Sequence, residues 1–269
     1  MIGIVLFGFG IFIVGIVSAM IGVGGGFLMV PIFNLILGFT AHRAVGTSSF
    51  AIFFTALSAS IAYLRQGRVD KIVGIVLAIT SIVGASLGAY TTKLFSSIVL
   101  TSLFGLFLVF ISLYMILTAN REFRSRVRGS LKRIIMDRDG EKFEYHVSVG
   151  FSLIVGFLAG FISGFFGVGG GIIVVSLMVI LMGLPIHIAV ATSMFTMMFT
   201  STSSLLTHLT IGNVDLTYGV TAGFFIALGA QLGAYIAKRI KPKQLKRAFG
   251  IFLIFIGLRM VLQPIISIM

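Results

Sequence analysis

The stretch from Ser18 to Phe39, SAMIGVGGGFLMVPIFNLILGF, interrupts a long apolar run with three consecutive glycines. Glycine loses more backbone entropy on folding than any other residue and has no side chain to pack, so such a run should end a helix. A closely similar stretch, SGFFGVGGGIIVVSLMVILMGL, begins at Ser163. The sequence therefore predicts the same helix break at two places in one fold.

The composition around these breaks is that of a membrane protein. The 269 residues are 58% hydrophobic and only 10% charged, whereas a soluble domain carries about 25% charged residues. Residues 3–39, 44–64, 72–92 and 94–120 contain no Asp, Glu, Lys or Arg, and about 20 apolar residues suffice to cross a bilayer. These runs lack the alternation of a membrane β-barrel. We expect an all-α polytopic membrane protein whose first helix is retained, because no positive segment precedes it.

The chain aligns with itself when it is shifted by 145 residues. About 40 positions between residues 12 and 115 are identical to their partners, far above chance, and internal duplication is a common construction in transporters. GFTAHRAVGTSSF at 38–50 matches GLPIHIAVATSMF at 183–195, and GASLGAYTTK at 84–93 matches GAQLGAYIAK at 229–238. We divide the chain into a first transmembrane repeat (1–118), a basic linker (119–146) and a second transmembrane repeat (147–269).

Each repeat is predicted to contain about five helices, of which the second is short. In the first repeat we expect helices over 3–20, 27–39, 44–64, 72–92 and 98–118. In the second we expect them over 147–165, 172–184, 189–210, 216–237 and 246–266. The linker, with eight Lys and Arg residues, is predicted to include a short basic amphipathic helix. A second helix of about 13 residues reaches only about 20 Å, so it need not span the membrane fully.

The basic residues predict the orientation of the two repeats. We expect the protein to lie in the cell membrane. Lys and Arg mark cytoplasmic loops, which places linker 119–146 on the cytoplasmic side. Loop 65–71 is basic, whereas its partner 210–216 has no Lys or Arg. Loop 93–102 has one Lys, whereas its partner 238–247 has six basic residues. Equivalent loops of opposite charge character predict an inverted repeat of five plus five segments with both termini outside.

Two interpretations of the glycine breaks stand. Glycines let membrane helices pack closely; alternatively, the breaks form discontinuous helices whose exposed N–H groups and helix N-termini bind an anion near the midplane. A phosphate-binding P-loop is excluded, because no Gly-Lys-Ser/Thr follows. On the second interpretation the substrate-binding residues are the loop glycines and the Thr-Ser pairs of the next helix, whose hydroxyls would donate to oxyanion oxygens: Gly22, Gly24, Gly25, Gly26, Thr47, Ser48, Gly167, Gly169, Gly170, Gly171, Thr192 and Ser193. Those hydroxyls could instead cap or bond within their helices.

Other polar residues are candidates for coupling or gating. His42 and His187 align, and histidine titrates near neutral pH, but an interfacial loop position explains them as well. Asp70 and Asp215 each precede a helix after a turn, which favours an N-cap over a gate. Whether Arg43 meets substrate or lipid headgroups is open. Hydroxyls further along the same helices either line a polar path or pack helices.

No enzyme, cofactor or metal site is predicted. The chain has no cysteine and no HExxH motif, and no acidic residue lies inside a predicted helix. The net charge of +13 fits cytoplasmic loops better than nucleic acid. The expected partners are the bilayer, a small anion and a coupling ion, either proton or sodium; a homo-oligomer is left open.

The two stretches at 18–70 and 163–215, together with GASLGAYTTKLF and GAQLGAYIAKRI, resemble the sulfite exporter TauE/SafE family of permeases over essentially the whole chain except the linker. The resemblance implies transport of small sulfur-containing anions, such as sulfite or organosulfonates, and it agrees with an anion site. An uncoupled anion channel or a non-transporting scaffold is the alternative.

Overall fold

Helices form most of the described protein. The computed structural model describes residues 2–118, 131–138, 140–180, 183–237 and 242–266, with side chains except at 2–6, 242–249 and 264–266. The first repeat contains α1 (Ile2–Ile21), α2 (Gly26–Pro31), α3 (Ala41–Arg65), α4 (Lys71–Thr91) and α5 (Ser97–Thr118). The linker and second repeat contain β1 (Leu131–Met136), β2 (Lys142–Val147), α6 (Val149–Phe166), α7 (Gly171–Ile180), α8 (Ile186–Thr210), α9 (Leu216–Ile236) and α10 (Pro242–Ile266).

Five helices of the described residues are long and apolar enough to cross a membrane, which confirms the predicted class of helical membrane protein. They are α3, α4 with its 3₁₀ extension to Leu94, α5, α6 and α9. Their outward faces carry exposed apolar side chains, for example Ile79, Phe110 and Phe224. Water would penalise such faces, whereas lipid does not.

The second helix of each repeat is shorter than predicted. After Pro31, which cannot donate a backbone hydrogen bond, α2 continues only as the π-helical turn Ile32–Ile36. Together these segments reach about 16 Å at 1.5 Å per residue, roughly half of a bilayer core. In the second repeat α7 ends at Ile180, and residues 181–182 lie outside the described part.

The helices pack in pairs, and each pair contains one helix from each repeat. Replacing every helix by its counterpart in the other repeat gives the same set of pairs. Helix α1 packs on α9, and its counterpart α6 packs on α4, the counterpart of α9. Helices α3 and α8 pack on each other, as do α5 and α10. Each repeat therefore uses the other as its packing partner, so neither repeat buries its faces alone.

Glycines allow the α4–α6 and α1–α9 pairs to approach closely. A Cβ on Gly84 or Gly88 would overlap a backbone carbonyl of α6, and one on the equivalent Gly229 or Gly233 would overlap a carbonyl of α1. The repeated GAxLGA motif is thus a packing motif, because only a residue without a side chain permits such contact between membrane helices.

The all-α prediction is wrong for the linker. Residues 131–147 form an antiparallel hairpin with Lys132 opposite His146 and Ile134 opposite Glu144, instead of a basic amphipathic helix. Exposure alternates along β1, which is the period of a strand rather than a helix. The turn contains Gly140 at φ 85°, a left-handed conformation that favours glycine. Residues 119–130, the rest of the predicted helix region, lie outside the described residues.

Candidate functional site

The two glycine loops lie against each other, as the interpretation of paired breaks requires. Three glycines in each loop have positive φ: Gly22, Gly24 and Gly25 at 82–95°, and Gly167, Gly169 and Gly170 at 63–79°. Any other residue would be strained there. A Cβ on Gly26 would overlap the carbonyl oxygen of Gly167, and a Cβ on the equivalent Gly171 would overlap that of Gly22.

The predicted serines tie each loop to the other repeat. The Ser48 hydroxyl of α3 donates to the Gly167 carbonyl at 2.8 Å. The equivalent Ser193 hydroxyl of α8 donates to the Gly22 carbonyl at 3.0 Å. Both serines are buried. The glycine carbonyls, which the helix break leaves without intrahelical partners, thus receive hydrogen bonds across the repeat boundary.

The predicted threonines make a second symmetric pair of contacts. The backbone N–H of Asp70 donates to the Thr192 hydroxyl at 3.0 Å, and that of Asp215 donates to the Thr47 hydroxyl at 3.0 Å. Both threonines are fully buried. Each Thr-Ser pair therefore joins one glycine loop and one Asp turn. The structure brings both pairs together with Gly22, Gly26, Gly167 and Gly171, whereas Gly25 faces Ser18 and Gly170 faces Ala159.

In this conformation the loops are closely packed. Ile52 and its counterpart Met197 contact the position where a side chain on Gly24 or Gly169 would lie. A cavity of about 20 Å³ lies beside Val23 and Ile172, with Ser176 in its lining. That volume suits one water molecule.

The hydroxyls farther along α8 make helix–helix contacts. Thr200 bonds to Ser81 of α4 at 2.7 Å, and Ser203 bonds to Ser86 at 2.8 Å. On the other side, Ser58 of α3 donates to the Ala227 carbonyl at 2.7 Å. Of the two sequence interpretations of these hydroxyls, packing of helices is the one that their hydrogen bonds display.

Both acidic residues outside the linker are N-caps, as predicted. Asp70 accepts from the N–H groups of Ile72 and Val73 at the start of α4, and Asp215 accepts from the N–H of Tyr218 in α9. These contacts satisfy donors that the first helical turn leaves unpaired. A gating role for either residue stays a prediction.

Asp70 also holds the linker hairpin, a contact that the sequence analysis missed. Arg133 of β1 binds both carboxylate oxygens at 3.0 and 2.9 Å, and the Tyr145 hydroxyl of β2 donates at 2.7 Å. Asp70 is fully buried, whereas the Arg133 side chain is 19% exposed. Burial raises the pKa of Asp70, but the hydrogen bonds from Arg133 and Tyr145 outweigh it, and the net pKa lies below its usual range.

Asp215 has a weaker partner at the equivalent position. Arg43, in the first turn of α3, forms an ion pair with Asp215 and stacks over the Phe39 ring at 4.5 Å. The Arg43 side chain is 54% exposed, so solvent screens the pair. In this conformation Arg43 therefore binds a protein carboxylate.

The two predicted histidines, His42 and His187, take no part in the hydrogen bonds that join the glycine loops to the Thr-Ser pairs. His42 places Nε2 at 3.0 Å from the Thr92 carbonyl, and His187 is half-buried in the first turn of α8. His208 and its counterpart Tyr63, by contrast, are buried at equivalent positions. Tyr63 donates to the Ala19 carbonyl and His208 contacts the equivalent carbonyl of Gly164 at 3.0 Å. The sequence showed these two positions as equivalent, but it gave no sign of their common contact.

The Arg133–Asp70 pair should make the stability of the protein depend on acid. Because the folded pKa of Asp70 lies below the usual value of about 3.9, the pair stabilises the fold above that pH and loses its effect as pH falls through the folded pKa. In Arg133→Gln, burial acts without its counter-ion and raises the folded pKa of Asp70, so the variant should be less stable than wild type at neutral pH and should lose less stability than wild type as pH falls through the titration of Asp70. Melting temperatures measured between pH 7 and 3 test this expectation.

Lys132→Gln is the matched control for this change. Lys132 neighbours Arg133 but points to the opposite face of β1, where it pairs with exposed Glu144 at 2.5 Å. Its removal should leave the acid profile nearly unchanged. Equal shifts in both variants would contradict a specific role for the buried pair.

Comparison with known proteins gives one consistent result. A family model described as sulfite exporter TauE/SafE matches residues 7–260. The probable membrane transporter protein YunE of Bacillus subtilis is 33% identical over 262 residues, which cover 95% of this chain and 96% of that protein. A probable membrane transporter protein of Methanocaldococcus jannaschii is 32% identical over 110 residues, 39% of this chain and 41% of that protein.

No solved structure matches the chain. The family match spans both glycine loops, both Thr-Ser pairs and both Asp turns, and the relatives are membrane transporters by name. The chain therefore belongs to the sulfite exporter TauE/SafE family of membrane transporters.

Proposed function

We propose that the protein is a secondary transporter for small sulfur-containing anions, such as sulfite or organosulfonates. The anion would bind between the two GVGGG loops, with the Thr-Ser pairs as hydroxyl donors. The observation that carries the proposal is the symmetric convergence of both loops and both Thr-Ser pairs on one set of contacts. Hydroxyl and N–H donors suit a mobile anion, which must bind and leave.

The contacts also suggest how such a site would open. The Thr192–Asp70 contact lies beside the hairpin, and the Thr47–Asp215 contact lies at the start of α3. These are equivalent loops of the two repeats, and each packs against the first turns of the other repeat's third helix. That arrangement supports the proposed inverted repeat, in which breaking one contact at a time would expose the site to one side of the membrane.

Thermal stabilisation of the purified protein in detergent tests the anion site. A ligand that binds only the folded protein raises its melting temperature by mass action. Sulfite, sulfate, thiosulfate, sulfoacetate, taurine, phosphate and chloride form the panel. We expect a shift with sulfite or a sulfonate, and its loss in Thr47→Val and Thr192→Val, which keep side-chain volume but remove the hydroxyl.

Thr47→Ser and Thr192→Ser are the matched controls, because they keep the hydroxyl that binds the Asp turn. They should retain the shift, whereas a purely structural threonine would lower basal stability in the valine variants without changing the ligand response. No shift with any sulfur anion up to high millimolar concentration would contradict the substrate class. Counterflow in proteoliposomes separates the proposed carrier from an uncoupled channel, since only a carrier exchanges labelled for unlabelled anion.

A further inference from the structure

A groove between α3, α9 and the hairpin turn combines apolar walls with two arginines. Its volume is about 640 Å³. Leu228, Leu232 and Tyr235 form one wall along α9 and are 42–68% exposed. Arg65, the last residue of α3, and Arg138 of the hairpin turn form the other end. We call these five residues the basic groove.

The hairpin is fixed at this groove by the backbone. The Arg138 N–H donates to the Gln66 carbonyl at 3.2 Å, and the Gln66 side chain donates to the Ala234 carbonyl of α9 at 3.1 Å. The C-terminal ends of α3 and α9 and the hairpin turn thus lie side by side at the same end of the helix bundle. The basic groove runs from that end down the exposed apolar face of α9, which faces lipid in a membrane.

Nothing in the described part of the chain neutralises the two arginines. Arg65 and Arg138 are exposed, and no carboxylate pairs with either among the described residues. Gln231, also in the groove lining, accepts from the Ser58 hydroxyl through Oε1 at 3.2 Å, which leaves its amide N–H groups free to donate. Two guanidinium groups and an amide above an apolar wall complement a phosphate that carries acyl chains.

The other repeat provides an internal comparison. The positions equivalent to Leu228, Leu232 and Tyr235 are Val83, Leu87 and Tyr90, which are also exposed and apolar or aromatic. The position equivalent to Arg65 is Thr210, and the hairpin lies at the Asp70 end of the bundle. The apolar wall is therefore common to both repeats, whereas the two arginines belong to one of them. The wall of the first repeat has a single lysine, Lys93, whose Nζ lies 5.3 Å from the centre of the Tyr90 ring.

We propose that the basic groove binds the headgroup of an anionic phospholipid from the cytoplasmic leaflet. The phosphate binds Arg65 and Arg138, and the acyl chains lie along Leu228 and Leu232 of α9. The side assignment follows from the excess of basic residues in loop 65–71 and in the linker. Basic pockets at the cytoplasmic ends of membrane helices bind anionic headgroups by this combination of charge and apolar surface.

Native mass spectrometry of the full-length protein in detergent tests this site. Phosphatidylglycerol is the probe, phosphatidylcholine is the zwitterionic lipid control and inorganic phosphate is the soluble control. In the double variant Arg65→Gln/Arg138→Gln we expect at least tenfold weaker phosphatidylglycerol binding. Both side chains are exposed, so the variant should keep its melting temperature without lipid.

The matched control is Lys71→Gln/Lys132→Gln, which removes the same charge from exposed positions outside the groove. It should keep phosphatidylglycerol binding within about twofold of wild type. An equal loss in both double variants would mean that net charge, not the groove, attracts the lipid. Equal binding of phosphatidylcholine, or full competition by millimolar inorganic phosphate, would also overturn the proposed lipid site.

Discussion

Alanine at both Gly26 and Gly171 is expected to prevent the two repeats from closing on each other. Each added Cβ would overlap a backbone carbonyl of the opposite loop, and backbone atoms cannot turn aside as a flexible side chain can. Overpacking of a tight site costs about 1–3 kcal/mol for each substitution and more when backbone must shift. We expect a melting temperature at least 10 °C lower, or the loss of folded monodisperse protein in detergent.

Gly10→Ala combined with Gly150→Ala provides the control. A Cβ at either position would meet nothing within 4 Å, and alanine favours a helix by about 1 kcal/mol over glycine. This variant should be as stable as wild type or slightly more stable. If the Gly26/Gly171 variant folds normally but no longer responds to sulfur anions, the glycines serve the ligand rather than packing.

Asp70→Asn is expected to be much more damaging than Asp215→Asn, although the two residues are equivalent. Asparagine keeps the N-cap, so the variants compare the two ion pairs. At Asp70 the change leaves Arg133 mostly buried without its partner, which costs about 3 kcal/mol. For a chain of this size that loss lowers the melting temperature by about 6–12 °C.

At Asp215 the partner Arg43 is 54% exposed, so the lost pair costs about 0.5–1 kcal/mol. Arg133→Gln should reproduce most of the Asp70→Asn effect, and the double variant should add little, because both remove one interaction. Equal losses at Asp70 and Asp215 would show that the buried pair with Arg133 stabilises the fold no more than the exposed pair with Arg43, because asparagine keeps both caps.

The sequence predicted the features of the candidate site that depend on local chemistry. Repeated glycines fall where the chain needs positive φ, and Asp70 and Asp215 fall where a helix start needs an acceptor. The long-range partners were not predictable in the same way. Ser48 and Gly167 are 119 residues apart, and the local propensity of neither residue predicts the hydrogen bond between them.

The linker shows why one prediction failed. Its charge suggested a surface helix. Apolar and polar residues alternate along Lys142–Val147 but not along Leu131–Met136, where only the exposure in the folded hairpin alternates. Arg133 and Tyr145 fall on strand faces that reach Asp70, 63 and 75 residues away in sequence. A charge count treats Arg133 as one more solvated cation, whereas the fold makes it the counter-ion of a buried carboxylate.

The sequence by itself determined that this is a duplicated helical membrane protein with two glycine breaks. Hydropathy, repetition and the conformational freedom of glycine act over short segments and need no knowledge of neighbours. Only the tertiary structure decided that the breaks face each other and that the Thr-Ser pairs join the repeats. It also decided that the two equivalent aspartates have unlike partners. Those contacts depend on which helix packs against which, and that choice is made by close backbone approach and burial across the whole molecule.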